Sequence, residues 1–148
     1  MSYQIRWNSE RCIACGACTV ACMDQNDRDP ARGDKPFRRC EIEEIGNGAD
    51  VKMVYRSIGC EHCEKPMCYY ACPQECIERD PETGFLYIDE TYCLGCGRCR
   101  MVCPVQAPVV DRDRKARKCD GCRQRVKEGL LPACVKVCPM NALELVEI

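Results

Sequence analysis

The sequence predicts an α+β fold in which short strands and short helices alternate around four cysteine-rich loops. Three observations carry this. Eighteen of the 148 residues are cysteine, far above ordinary usage. Sixteen of them fall into four groups that close on the same C-x3-C step, a degenerate internal repeat. Alternating, strand-type stretches precede three of the groups, and helical stretches follow the cysteine loops. One Trp, two Phe and six Tyr leave little with which to build a deep core. A chain this size then depends on disulfides or bound metal as internal staples.

In chain order, Tyr3-Gln4-Ile5-Arg6-Trp7 alternates and predicts a strand. The first group follows, Cys12, Cys15, Cys18 and Cys22, with a helix expected over Cys18–Met23. Residues 25–50 are rich in Asp, Arg, Gly and Asn and predict an excursion, with a hairpin over Arg39–Ile45. Val51–Ile58 predicts a strand before the second group, Cys60, Cys63, Cys68 and Cys72. Asp80-Pro81-Glu82-Thr83-Gly84 has turn chemistry, and Phe85–Asp89 predicts the strand after it. The third group is Cys93, Cys96, Cys99 and Cys103, with a helix over Cys99–Cys103. The fourth is Cys119, Cys122, Cys134 and Cys138. Its long insert predicts a helix over Arg123–Glu128, stopped by Gly129, and a second helix runs over Pro132–Cys138. Ala142–Ile148 alternates and predicts a closing strand.

The spacing points to iron–sulfur chemistry. The third group reads C-x2-C-x2-C-x3-C-P, from Cys93 to Pro104, the run found in bacterial ferredoxins. Three thiolates at that spacing, on a loop curled round a cube, reach three irons. The fourth begins a helix that turns it away, so it serves the other cluster of a pair. Gly95 and Gly97 let the backbone approach closely and aim N–H groups at sulfur. The first group keeps this spacing with Met23 in place of the proline. The second is C-x2-C-x4-C-x3-C-P and the fourth C-x2-C-x11-C-x3-C-P. Structural zinc sites pair two local C-x2-C knuckles into a closed tetrahedron, and a third nearby cysteine overfills such a knuckle. Four complete [4Fe–4S] cubanes are therefore expected on sixteen cysteines.

Other classes are set aside by composition. With 22 basic and 23 acidic residues, a net charge of −1 argues against nucleic acid as the main partner. No secretory signal or twin-arginine pair is visible in the N-terminal segment before Cys12, and no ~20-residue apolar run occurs. Reduced thiols and a cytoplasmic location are expected, or export together with a signal-bearing partner. No Walker loop and no dinucleotide fingerprint is present, and complete cubanes leave no open iron. The chain is expected to be non-catalytic.

The order of the four groups resembles the iron–sulfur (beta) electron-transfer subunits of the dimethyl sulfoxide reductase type and similar small polyferredoxin subunits. The resemblance is strongest over Arg11–Cys18, Gly59–Cys63, Asp80–Gly84, Tyr92–Cys96 and Glu128–Cys134. It implies two nested bacterial dicluster ferredoxin-like units: an outer unit over 1–50 plus 105–148 and an inner unit over 51–104. It also implies the ligand sets. Cys12, Cys15 and Cys18 would share a cluster with Cys138, and Cys119, Cys122 and Cys134 one with Cys22. Cys60, Cys63 and Cys68 would share one with Cys103, and Cys93, Cys96 and Cys99 one with Cys72. The implied function is relay of single electrons between a catalytic subunit bearing a molybdenum or tungsten bispterin and another redox partner. That second partner would be a flavin subunit, a ferredoxin or further copies of this chain. The chain runs only ten residues past Cys138, which favours a soluble complex such as a cytoplasmic formate dehydrogenase or a tungsten aldehyde oxidoreductase. The alternative is a stand-alone soluble polyferredoxin.

A few residues stand outside this scheme. Cys40 and Cys76 are either extra metal ligands or, in the ordinary case, small buried thiols. His62 either hydrogen-bonds to cluster sulfur or packs its loop. Arg112, Arg114, Lys115, Arg117 and Lys118 form a basic run that either docks a partner, raises the potential of the Cys119 cluster or, in the ordinary case, is a solvated loop. Trp7 is expected to cover the first cluster loop.

Overall fold

The pairing of β1 (Tyr3–Trp7) with β8 (Leu143–Glu147) sets the architecture: antiparallel, in register from Tyr3 opposite Glu147 to Trp7 opposite Leu143. The computed structural model describes residues 1–148. Three further two-stranded antiparallel ladders follow in sequence. They are β2 (Arg39–Ile45) with β3 (Lys52–Ile58), β4 (Ile77–Arg79) with β5 (Leu86–Ile88), and β6 (Val109–Val110) with β7 (Ala116–Arg117). The helices are α1 (Ala17–Gln25), α2 (Met67–Ala71), α3 (Arg98–Met101), α4 (Arg123–Lys127) and α5 (Ala133–Val137). The first group's helix α1 packs on the fourth group's α5, and the second group's α2 packs on the third group's α3. Isolated two-stranded ladders are marginal on their own, so stability must come from what lies between them.

Cysteine lies between them. Three small apolar clusters replace a single core, and each contains thiols. Cys76, Cys93 and Cys99 pack with Ile77, Leu86 and Ala116. Cys18 and Cys134 pack with Val135 and Leu143. Cys22 packs with Phe37 and Val109. Mixed short strands and helices around cysteine loops are the α+β class expected from the sequence.

The strands at Tyr3, Val51, Phe85 and Ala142 and the helices of the first, third and fourth groups form within a few residues of their expected bounds. The hairpin expected over Arg39–Ile45 does not. That stretch is one continuous strand, and the turn falls beyond it, where Gly46 and Gly48 take φ of 112° and 59°. Only the glycines there tolerate such a turn without strain, so they, not the Glu-Ile alternation before them, reverse the chain. The resulting β2–β3 hairpin spans the boundary at residue 50.

The Asp80 turn joins two parts of the molecule. Asp80 is buried, and its Oδ1 accepts from the N–H groups of Glu82 and Thr83, both at 3.0 Å. Its Oδ2 faces Lys127 Nζ at 2.8 Å and Arg123 Nη1 at 3.2 Å, both on α4. Burial alone would raise the Asp80 carboxyl. Lys127, the Thr83 N–H and Arg123 outweigh it and hold the group well below the usual carboxylate range. The adjacent Phe85 is fully enclosed, and its ring lies against Gly121 of the fourth group.

Candidate metal centres

The four cysteine loops share a backbone device. The residue directly before the second cysteine takes a left-handed conformation in every group: Ala14 (φ 50°), His62 (φ 49°), Gly95 (φ 66°) and Gly121 (φ 70°). This turn curls the loop inward and directs the residue's own N–H at the first sulfur. Ala14 donates to Cys12 Sγ at 3.4 Å, Gly95 to Cys93 Sγ at 3.4 Å and Gly121 to Cys119 Sγ at 3.3 Å. Glycine is required where space is short: a Cβ at Gly95 would overlap the Arg114 carbonyl, and one at Gly121 the Phe85 ring. The two non-glycine residues bear the left-handed strain instead.

A second repeat lies four residues after the closing cysteine. Ala107 N–H donates to Cys103 Sγ at 3.4 Å, and Ala142 N–H to Cys138 Sγ at 3.3 Å. Cys76 is the equivalent residue after Cys72, and its backbone N–H also reaches that sulfur. The extra cysteine thus occupies a place where the other groups carry alanine. Its Sγ lies 3.3 Å from Cys72 Sγ. Burial and the Cys72 sulfur push the Cys76 thiol up to about 12. Cys40 is placed similarly, 3.7 Å from Cys18 Sγ.

The thiols gather across the molecule rather than within each group. Cys12, Cys15, Cys18 and Cys138 line one cavity, with Trp7, Cys40 and Leu143. Cys60, Cys63, Cys68 and Cys103 line a second, with Lys118 and Leu86. Cys93, Cys96, Cys99 and Cys72 line a third, with Cys76 and Ala116. The Cys22 thiol is pushed up to about 11, first by burial and then by the charges of Cys134 and Cys122. Cys119 is raised by burial and then by Cys60 and Cys22. Cys22, Cys119, Cys122 and Cys134 thus lie within electrostatic reach of one another, and none of the four is exposed. Cys99 is likewise pushed up to about 11, by burial.

The sets also have an order. Cys18 and Cys22 lie on one helix, which joins the Cys138 set to the Cys134 set. Cys119 feels the charge of Cys60, which joins the Cys134 set to the Cys103 set. Cys99 feels the charge of Cys68, which joins the Cys103 set to the Cys72 set. By these couplings the sets succeed one another from the Cys12 loop to the Cys93 loop. Cys15 is exposed in the first set, Cys63 in the third and Cys96 in the last.

The donor set fits iron–sulfur clusters. Four thiols, soft ligands, converge on each of the three cavities, with Glu61 the one carboxylate at the Cys60 cavity, and backbone N–H groups point at the sulfurs, as they do where clusters are held. Burial keeps several thiols protonated without metal, so binding iron must release protons.

The remaining residues are placed as follows. His62 is buried. Its Nδ1 accepts the Leu86 N–H at 2.9 Å, so Nε2 carries the ring proton, and Nε2 has no partner. Burial and then the charges of Lys118, Arg79 and Arg38 hold its pKa well below the usual value. Trp7 lines the first cavity, with its Nε1 also unpartnered. The basic run is neither one docking element nor one solvated loop. Lys115 Nζ donates to the Cys93 carbonyl at 2.8 Å, Arg117 is tied to Glu90, Asp111 and Asp113, and Lys118 is buried. Only Arg112 and Arg114 are exposed. The sequence missed Arg38, which is buried beside the Cys22 and Cys134 sulfurs.

Residues 51–148 match the family model of the 4Fe-4S dicluster domain. Over 148 residues the sequence is 39% identical to the B subunit of the anaerobic dimethyl sulfoxide reductase of Escherichia coli K12, covering 93% of this protein and 69% of the relative. This protein belongs to the iron–sulfur electron-transfer subunits of the dimethyl sulfoxide reductase type. The B subunit of the Haemophilus influenzae reductase is 36% identical over 158 residues, 99% of this protein and 74% of the relative. The thiosulfate reductase electron transfer subunit PhsB of Salmonella typhi is 34% identical over 148 residues, 96% of this protein and 74% of the relative. Members of this family are electron-transfer rather than catalytic subunits, and their cofactors are [4Fe–4S] clusters. No helix of this member is long and apolar enough to cross a membrane.

Proposed function

We propose that this subunit relays single electrons through four [4Fe–4S] clusters between a catalytic subunit carrying a molybdenum or tungsten bispterin and a second redox partner. The proposed ligand sets are Cys12, Cys15, Cys18, Cys138; Cys22, Cys119, Cys122, Cys134; Cys60, Cys63, Cys68, Cys103; and Cys72, Cys93, Cys96, Cys99. The observation that carries the reading is the gathering of thiols from distant groups around shared cavities, first with fourth and second with third. That gathering supports an inner ferredoxin-like unit over 51–104 nested in an outer one over 1–50 and 105–148. When bound, each cluster supplies one-electron redox chemistry. The protein's part is to hold the four positions in succession, bury the Cys22 set and offer hydrogen bonds to the sulfurs.

The ends of the line have the surface a partner needs. Beside the exposed Cys15 lie exposed Ile13 and Val20, and beside the exposed Cys96 lie exposed Leu94, Tyr92 and Met101. These apolar side chains support docking at both ends, one for the catalytic subunit and one for a ferredoxin, a flavin subunit or a second copy of the protein. Many free thiols support assembly in a reducing compartment, the cytoplasm.

Elemental analysis of the anaerobically purified native complex tests this. About sixteen Fe for this subunit, beyond the partner's own, are expected, with Mo or W in the same complex. Zinc in place of iron would overturn the ligand reading. Iron without Mo or W would overturn the choice of partner and leave a free polyferredoxin or a flavin or nickel enzyme. Cys96→Ser should interrupt transfer through the complex while the catalytic subunit still turns over with an artificial electron donor or acceptor.

A further inference from the structure

Four charged side chains are buried in this protein: Arg28, Arg38, Asp80 and Lys118. Two are matched by opposite charge. Arg28 grips both oxygens of Asp111 at 2.7 Å, and Asp80 faces Lys127 and Arg123. The other two stand in no ion pair. Arg38 donates to Ser57 Oγ at 3.1 Å and to the Ser57 carbonyl at 3.4 Å. Lys118 Nζ donates to the carbonyls of Leu86 and Cys119, the latter at 2.8 Å, and to Cys60 Sγ at 3.6 Å. Three acceptors take all three hydrogens of an ammonium group, and a guanidinium is always charged. A buried charge without a counter-charge is too costly to keep, so each must face an anion.

Sulfur is what surrounds them. The guanidinium of Arg38 acts on Cys134, Cys119, Cys18 and Cys22. Its Nη2 packs so closely that a Cβ at Gly59, next to Cys60, would stand 2.8 Å away. Lys118 adjoins Cys119 in sequence and touches Cys60. Both cations therefore reach the Cys22, Cys119, Cys122, Cys134 set, the one set in which no thiol is exposed. Lys118 also reaches the Cys60 set, and Arg38, through Ser57 Oγ 3.4 Å from Cys18 Sγ, the Cys12 set.

We infer that Arg38 and Lys118 are the counter-charges of the most deeply buried cluster and hold its reduction potential up. The inference rests on the ligand sets proposed above. Four thiolates outweigh the charge of the iron–sulfur core, and reduction adds one more negative charge. Burial penalises that addition, while a nearby cation favours it. Without them the second position of the line would accept electrons least readily, a barrier inside the relay. The exposed end at Cys96 needs no such device, because water stabilises the reduced state there.

The test is an anaerobic redox titration of the holoprotein, followed by electron paramagnetic resonance. Lys118→Met and Arg38→Met are compared with Lys118→Arg, Arg38→Lys and the parent. One and the same cluster should become at least tenfold harder to reduce in both Met variants, 59 mV for a one-electron couple. A second cluster, on the Cys60 set, should shift with Lys118→Met and not with Arg38→Met, a third, on the Cys12 set, with Arg38→Met and not with Lys118→Met, and the charge-keeping variants should stay near the parent. Shifts below tenfold at every cluster in the Met variants overturn the inference. If a Met variant loses a cluster that its charge-keeping partner retains, the counter-charge role stands. If both lose it, these are packing residues and the inference fails. A parent protein without four cubane signals would instead overturn the ligand sets themselves.

Discussion

Asp80→Asn removes one charge and almost nothing else. The amide oxygen can still accept from the Glu82 and Thr83 N–H groups, so the turn between β4 and β5 is kept. What is lost is the negative charge facing Lys127 at 2.8 Å and Arg123 at 3.2 Å, the link from the inner hairpin to α4. Removing one partner of a fully buried ion pair costs about 3–5 kcal/mol. Here the two cations are 23% and 34% exposed, and Lys127 keeps Glu82 at 2.9 Å, so part of the loss is recovered in water. The expected cost is about 2–3 kcal/mol, after that discount. Unfolding of a cluster protein is irreversible, so the quantity to measure is a rate: loss of visible cluster absorbance in anaerobic urea. If the contact breaks before the transition state, the variant should bleach roughly 30–150 times faster. The pH dependence follows from the lowered pKa of Asp80. A group held below its unfolded value near ~4 stabilises the protein fully above that value, and the contribution is lost as pH falls through the folded one. The gap between parent and variant should therefore be constant from neutral to mildly acid pH and narrow only in strong acid. A variant that bleaches within twofold of the parent would refute the reasoning.

Other outcomes follow from the same geometry. Cys76→Ala and Cys40→Ala should each retain the parent's iron content, because Ala107 and Ala142 already fill the place of Cys76 elsewhere, whereas Cys134→Ser should lose iron from one set. Gly97→Ala should cost only the left-handed strain, about 1–2 kcal/mol, since the nearest atom to a new Cβ is 3.9 Å away. Gly121→Ala carries the same strain and also drives a methyl into the enclosed Phe85 ring, so about 1–3 kcal/mol more is expected, read by the same bleaching rate.

The cysteine pattern made most of the site legible in advance, because ligand spacing is a local property of the sequence. Strands such as Tyr3–Trp7 and Lys52–Ile58 were visible by their alternation, and Leu86–Ile88 by the turn before it, whereas the short helix Met67–Ala71 was not expected. Strands of two residues, Val109–Val110 and Ala116–Arg117, carry no period to detect. The left-handed turn inside each loop was legible at Gly95 and Gly121 but hidden at Ala14 and His62, whose side chains do not advertise it. Cys76 looked like a stray because its equivalence to Ala107 is one of position, four residues past a closing cysteine, rather than of chemistry. Arg38 and Lys118 were the least readable. One lies next to another arginine and the other ends a basic run, and nothing local separates a buried cation from a solvated neighbour.

The meeting of the first cysteine group with the end of the fourth, across the second and third, bears on the order in which the protein can be built. The thiols around the two inner cavities have all been synthesised once Cys103 has been added. Those around the Cys12 cavity wait for Cys138, and β1 has no partner until β8 follows. On a ribosome, the loop of Cys12 leaves the exit tunnel first and is completed last. Over that interval its three thiols and the apolar side of β1 stand open, and that is the window in which oxygen, a wrong metal or an assembly factor would meet the nascent protein.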